Sequence, residues 1–187
     1  MVYQDIIHVS NDIRFILDTT RMAHLTAINA ALAARRAGSV KGFETVAGEL
    51  KSFSLRLTTT MHEISVFVLM VSQAVSNLYR QRHSLRNHET AYTLSQVSSQ
   101  ISVLASAKAR HRALSGILLE KVRQLAFHVA CALRLCLTGR NFARAAMVEA
   151  AHGGDAAAML KTVALDIEST IDNIHDRLKA IHQRIRP

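Results

Sequence analysis

The sequence predicts an all-α chain folded as an elongated antiparallel four-helix bundle, or coiled coil, made of two helical hairpins. Three observations predict it. Apolar residues recur at alternating steps of three and four along most of the 187 residues, the spacing that keeps one helix face against a partner. The only proline is Pro187, so no helix is interrupted by a ring that lacks an N–H. Aromatic residues make up 5% of the chain and Trp is absent, while Ala, Leu, Val and Ile dominate a hydrophobic fraction of 49%. Such side chains suit thin helix–helix seams better than a core built around large rings.

The first helix is read from Ile6, Val9, Ile13, Ile16, Thr20, Ala23, Ala27, Ala30, Ala34 and Ala37, a seam whose side chains shrink towards Gly38. The return helix follows from Phe43, Val46, Leu50, Phe53, Leu57, Thr60, Ile64, Phe67, Val71, Ala74 and Leu78. The last helix follows from Leu160, Ala164, Ile167, Ile171, Ile174, Leu178, Ile181 and Ile185. One helical domain, 1–187, is expected. Hairpin one covers about 3–80 with its turn at 38–42. Hairpin two covers about 113–186 with its turn at 153–155. Residues 81–112 are expected to connect them, with breaks at the polar clusters Arg80–Glu89 and Lys108–Arg112. Between those breaks Leu94, Val97, Ile101 and Leu104 form a short amphipathic segment. Gly38, Gly42, Gly153 and Gly154 mark the turns.

The second hairpin repeats the first. Ala30, Ala34 and Gly38 fall on Ala146, Ala150 and Gly154, and Thr45-Val46-Ala47 falls on Thr162-Val163-Ala164 one residue further along. A duplicated hairpin would build a four-helix bundle within one chain, with both glycine turns at the same end.

The stretch Asn29-Ala30-Ala31-Leu32-Ala33-Ala34-Arg35-Arg36-Ala37-Gly38, followed by Gly42-Phe43-Glu44-Thr45-Val46-Ala47-Gly48-Glu49-Leu50, resembles the hairpin tip of the cytoplasmic signalling domain of bacterial chemoreceptors. The resemblance covers residues 10–65 well and 140–180 weakly. It implies a non-catalytic signalling protein that docks a chemotaxis coupling protein, a histidine kinase or other receptor tips through its hairpin ends. By position it implies a partner-binding set of Leu25, Ile28, Asn29 and Arg36, with Glu149 in the second copy. The departures are specific. Arg21 stands where the family often has an aromatic residue, Ala33 replaces a Glu, and the first turn is one residue short. No adjacent Glu/Gln pair occurs in the chain, so adaptation by methylation of such pairs is not expected.

The net charge is +9, and it is regional. Between Arg80 and Arg144 stand eleven Lys/Arg and two acids, whereas the rest of the chain carries twelve of each sign. Arg80, Arg82, Arg86, Lys108, Arg110 and Arg112 form a basic patch expected at the end away from the glycine turns. Two further readings follow: an oligomerising helical scaffold, or a module binding an anionic nucleic acid or membrane surface through that patch. No apolar run is long enough to span a bilayer, and no signal peptide is visible at the N-terminus, so a cytoplasmic protein is expected, as monomer or homodimer. Cys131 and Cys136 are five apart, which is not a redox or haem-attachment spacing. Glu149-x-x-His152 and Asp172-x-x-His175 have the spacing of di-iron bundles, but roughly 20 Å of helix rise separates them. No metal, cofactor or small-molecule substrate is expected, and no nucleophile or phosphate-loop motif suggests an enzyme.

Overall fold

The computed structural model describes residues 3–36, 41–95, 99–152 and 157–185. The side chains of Tyr3, Ala30, Ala33, Ala34, Arg36, Lys41, Phe43, Leu94, Ser95, Ser99 and Gln100 are outside that description. Four helices run in order: α1 (Tyr3–Arg36), α2 (Lys41–Ser95), α3 (Ser99–Ala151) and α4 (Ala157–Ile185). Each packs on the next, and α1 also packs on α4, which closes a ring. The result is an up-down-up-down antiparallel bundle built from hairpins, as the heptads predict.

The two outer helices follow their predicted seams. Ile6, Val9, Ile13, Ile16, Thr20, Ala23 and Ala27 are buried on α1, and Leu160 through Ile185 are buried at every predicted position on α4. Thr20 is tolerated in the seam because its hydroxyl donates to the Ile16 carbonyl at 2.7 Å, the usual local partner of a helical Thr.

On α2 the seam is broader than predicted. Leu50, Phe53, Leu57, Ile64, Val71 and Ala74 are buried as expected, but so are Ala47, Met61 and Val68, while Thr60 and Phe67 are only half-buried. The reason is that α2 packs on two neighbours. One edge of its stripe meets α1, where the Ser54 hydroxyl lies 2.7 Å from His24 Nδ1. Ser54 spends its own proton on the Lys51 carbonyl at 2.8 Å, so His24 is the donor. The other edge meets α3, where Phe67 stacks on His128 with ring centroids 4.4 Å apart.

The breaks expected around the connector are not there. Both α2 and α3 run through it, and the polar clusters Arg80–Glu89 and Lys108–Arg112 lie inside continuous helix. Charged residues do not break a helix while its seam positions stay occupied. Leu85, Leu104, Leu114 and Leu118 remain half-buried there. The short amphipathic segment is also corrected: Leu94 belongs to α2, Ile101 and Leu104 belong to α3, and Val97 lies outside the described residues. Gly42 is corrected as well, since it stands in the first turn of α2 and not in the hairpin turn.

Candidate functional site at the hairpin ends

The hairpin ends of α1/α2 and α3/α4 meet at one end of the bundle. Glu149 of α3 lays its carboxylate against Gly42 of α2, so closely that a Cβ at Gly42 would come within 2.5 Å of the carboxylate carbon. A side chain at residue 42 would displace that contact. Arg35 at the end of α1 donates to Glu44 in the first turn of α2 at 2.6 Å. Each of these charges also complements the dipole of its own helix end, although both side chains are largely exposed and the pair is worth little on its own.

The predicted docking residues divide as follows. Leu25 is 52% exposed on the outer face of α1, Asn29 is exposed and Ile28 is half-buried beside the seam. Arg36 closes α1, but its side chain lies outside the described residues, as do Gly38, Gly153 and Gly154. Glu149 is half-buried against α2, not fully presented to solvent.

Two residues of this surface escaped the sequence reading. Met22 is 63% exposed and Leu32 is 47% exposed. With Leu25 and Asn29 they stand at steps of three, four and three, which places all four on one stripe of α1. The signal was present in the sequence as a second apolar periodicity, offset from the seam. On the second hairpin Val148 and Met159 are also exposed.

The basic patch lies towards the opposite end. Arg80, Arg82, Arg86, Lys108, Arg110 and Arg112 are all exposed on α2 and α3. Arg80 donates to Asn77 at 2.7 Å, and Lys108 reaches Glu89 at 3.7 Å. An open cleft of about 560 Å³ runs between α1 and α2, with Ile6, Ser10 and Arg14 on one wall and Ser72, Ser76 and Arg80 on the other.

Among the described residues no group of three or more His, Cys, Asp or Glu is placed to hold a metal ion. Asp172, half of one di-iron spacing, pairs with Arg140 instead. Burial pushes the Cys136 thiol up to about 12, with Arg140 pulling it down and Asp172 pushing it further up. Cys136 is therefore a neutral core side chain over the whole physiological range. Among the described residues no helix is long and apolar enough to cross a membrane. Comparison with protein-family models, with curated proteins and with solved structures gives no match.

Proposed function

We propose that the protein is a non-catalytic, chemoreceptor-like docking module, binding a chemotaxis coupling protein or its histidine kinase through the hairpin end. The observation that carries this reading is the stripe of Met22, Leu25, Asn29 and Leu32. Exposed large apolar side chains occur on all four helices; what favours this row is that Met22, Leu25 and Leu32 adjoin one another on one stripe, since contiguous apolar patches are the ones partners cover. The stripe sits on the same helix, within one to three turns, as the Asn-Ala…Arg-Ala-Gly sequence that resembles the receptor tip.

In this reading the bundle supplies the rod, the Arg35–Glu44 pair joins α1 to α2 within the first hairpin, the Glu149–Gly42 contact sets the second hairpin against the first, and the α1 stripe supplies the apolar anchor. Hot-spot anchors of this kind cost more than about 2 kcal/mol when truncated or charged. The test is titration of the purified protein with a purified chemotaxis coupling protein and, separately, with the kinase. Leu25→Glu and Met22→Glu are expected to weaken binding at least tenfold with an unchanged helical circular dichroism spectrum. Absence of binding to both partners, or equal affinity of both variants, overturns the proposal. If light scattering instead shows a dimer that Leu25→Glu dissolves, the stripe serves self-assembly and the scaffold reading replaces it.

A further inference from the structure

The two middle helices outrun the outer two. The ion pairs Arg140–Asp172 and Arg144–Glu168 fix the register of α3 against α4. In that register Ile185, the end of α4, stands level with about Phe127. At the other edge, the first turns of α1 share a cleft with Ser76 and Arg80 of α2. Beyond these levels α2 and α3 continue alone as a two-helix arm. From Gln81 to Ser95 the arm adds roughly 22 Å at 1.5 Å per residue.

The side of the arm that α1 and α4 would cover has its own chemistry. On α2 the positions facing α1 recur every seven residues as Ala47, Ser54, Met61 and Val68, all buried. The series continues as Val75, Arg82 and Glu89. On α3 the positions facing α4 run back from the hairpin end as Ala150, Ala143, Cys136, Val129 and Val122, all buried, and continue as Ser115 and Lys108. The α2 series turns from apolar to charged at Arg82, just past the first turns of α1, whereas the α3 series stays apolar through Val122, passes through the half-buried Ser115 and becomes charged only at Lys108. Arg86 stands four residues beyond Arg82, and Arg112 four beyond Lys108, so each pair shares a helix face. The 3.7 Å contact between Glu89 and Lys108 shows that the two faces adjoin.

The bare side of the arm is thus a shallow groove. Its floor is the half-buried row of Leu85, Leu104, His111 and Leu118, in which the His111 Nδ1 is buried without a hydrogen-bond partner. Its rims carry exposed cations, Arg82 and Arg86 on one and Lys108 and Arg112 on the other, with Glu89 on the first rim paired to Lys108. Between Arg82 and Gly116 the chain has five Lys/Arg and a single acid, Glu89. A second copy of the arm is repelled by that charge. A flat membrane meets the step, one helix deep, formed by the ends of α1 and α4. A floor of leucines with one histidine between basic rims, in line with the seats of two helices, complements an amphipathic helix flanked by acids.

We propose that this groove docks an acidic amphipathic helix of a partner protein, laid along the arm in continuation of α1 and α4. The surface is distinct from the hairpin end and does not depend on its function. The probe is a fluorescein-labelled designed peptide of about three heptads, with Leu at the seam positions and Glu at the flanking ones. Fluorescence anisotropy is expected to show saturable micromolar binding that weakens at least tenfold between about 50 and 300 mM salt. The double variant Arg82→Glu/Lys108→Glu is expected to weaken binding about tenfold or more with an unchanged circular dichroism spectrum, while Leu25→Glu at the hairpin end leaves it unchanged. A control peptide with Lys at the flanking positions is expected not to bind. Absence of saturable binding, equal affinity of the double variant, or displacement of the peptide by single-stranded DNA or phosphatidylglycerol vesicles at lower concentration overturns the proposal.

Discussion

Gly139 offers a test of the bundle in which the sign of the effect, and not merely its size, is at stake. It lies in the middle of α3, where an Ala would ordinarily raise helix stability by about 1 kcal/mol. Here the ring of Phe53 from α2 occupies the space. A methyl group at Gly139 would meet Cε1 and Cε2 of Phe53 at 2.6 and 2.8 Å, roughly 1 Å inside ordinary carbon contact. Phe53 is itself buried, so the ring can yield only by displacing its neighbours. Overpacking of this kind costs about 1–3 kcal/mol, which outweighs the propensity gain and leaves a net loss of about 1 kcal/mol. In a chain of this size that lowers Tm by about 2–4 °C. Gly48 and Gly116 are the controls, because nothing lies within 4 Å of a Cβ at either position. Gly48→Ala and Gly116→Ala are expected to stabilise by about 0.5–1 kcal/mol. Phe53→Ala alone should cost about 3–5 kcal/mol. In that background Gly139→Ala should become stabilising, since the obstructing ring is gone. Urea and thermal unfolding of the four single variants and the double variant supply the cycle. If Gly139→Ala raises Tm in the wild-type background, the close approach of α2 and α3 at Phe53 is wrong.

The core thiol and one interhelical ion pair supply two further predictions. Cys136 should resist alkylation at pH 8 in the native protein, whereas half-exposed Cys131 should react; trapping counted by mass spectrometry checks this. Because burial holds the Cys136 thiol up at about 12 against an ordinary 9.0, the unfolded state gives up its proton first. The stability this group contributes is complete below pH 9 and is lost between pH 9 and about 12; unfolding of Cys136→Ala should show a shallower decline across that window. Asp12 of α1 accepts from Arg177 at 3.1 Å and from Arg184 at 3.2 Å on α4, and Arg177 also lies 3.6 Å over the Phe15 ring. Asp12→Ala should cost about 1 kcal/mol in chemical unfolding, with the loss shrinking at high salt.

Legibility in the sequence follows the number of neighbours each helix has to satisfy. α4 presents a narrow stripe, and every residue from Leu160 to Ile185 assigned to its seam is buried. α2 carries a stripe wide enough for α1 on one edge and α3 on the other, so a strict alternation of three and four captured one row and missed Met61 and Val68. The arm was misread for a related reason. Arg82 and Lys108 continue heptad positions that are apolar in the body, and without knowing where α1 and α4 end, a change from apolar to charged looks like the end of a helix. At the hairpin end Leu25 and Asn29 were legible from the tip sequence, but Met22 and Leu32 were not, because a second apolar row beside a seam is ordinarily absorbed by packing. Only the placement of neighbours distinguishes a broad seam from an exposed stripe.

The core is graded in residue size, and the grading connects the fold to its two surfaces. Towards the hairpin end alanines predominate among the buried positions, Ala27, Ala47, Ala143, Ala146, Ala150 and Ala164 beside Leu50 and Leu160; away from it Ile and Leu predominate, at Ile6, Ile13, Ile64, Leu125, Ile174, Leu178, Ile181 and Ile185 beside Ala74 and Ala132. Each Ala in place of Leu or Ile gives up about three buried CH₂ groups, or ~2 kcal/mol of apolar burial. Within the four-helix body the hairpin end is therefore the weaker end, held by close backbone approach and by the Glu149–Gly42 contact as well as by hydrophobic volume. Local stability follows local burial, so this end opens at lower free energy than the wide core does. A docking surface placed there can be reshaped by a partner without unfolding the rod, and the arm, where Ala107 alone is buried among the described residues between 81 and 121, opens more easily still. The same heptad that narrows to Ala at one end turns to Arg and Lys at the other. One repeating pattern thus places an apolar surface and a basic one at opposite ends of a single bundle.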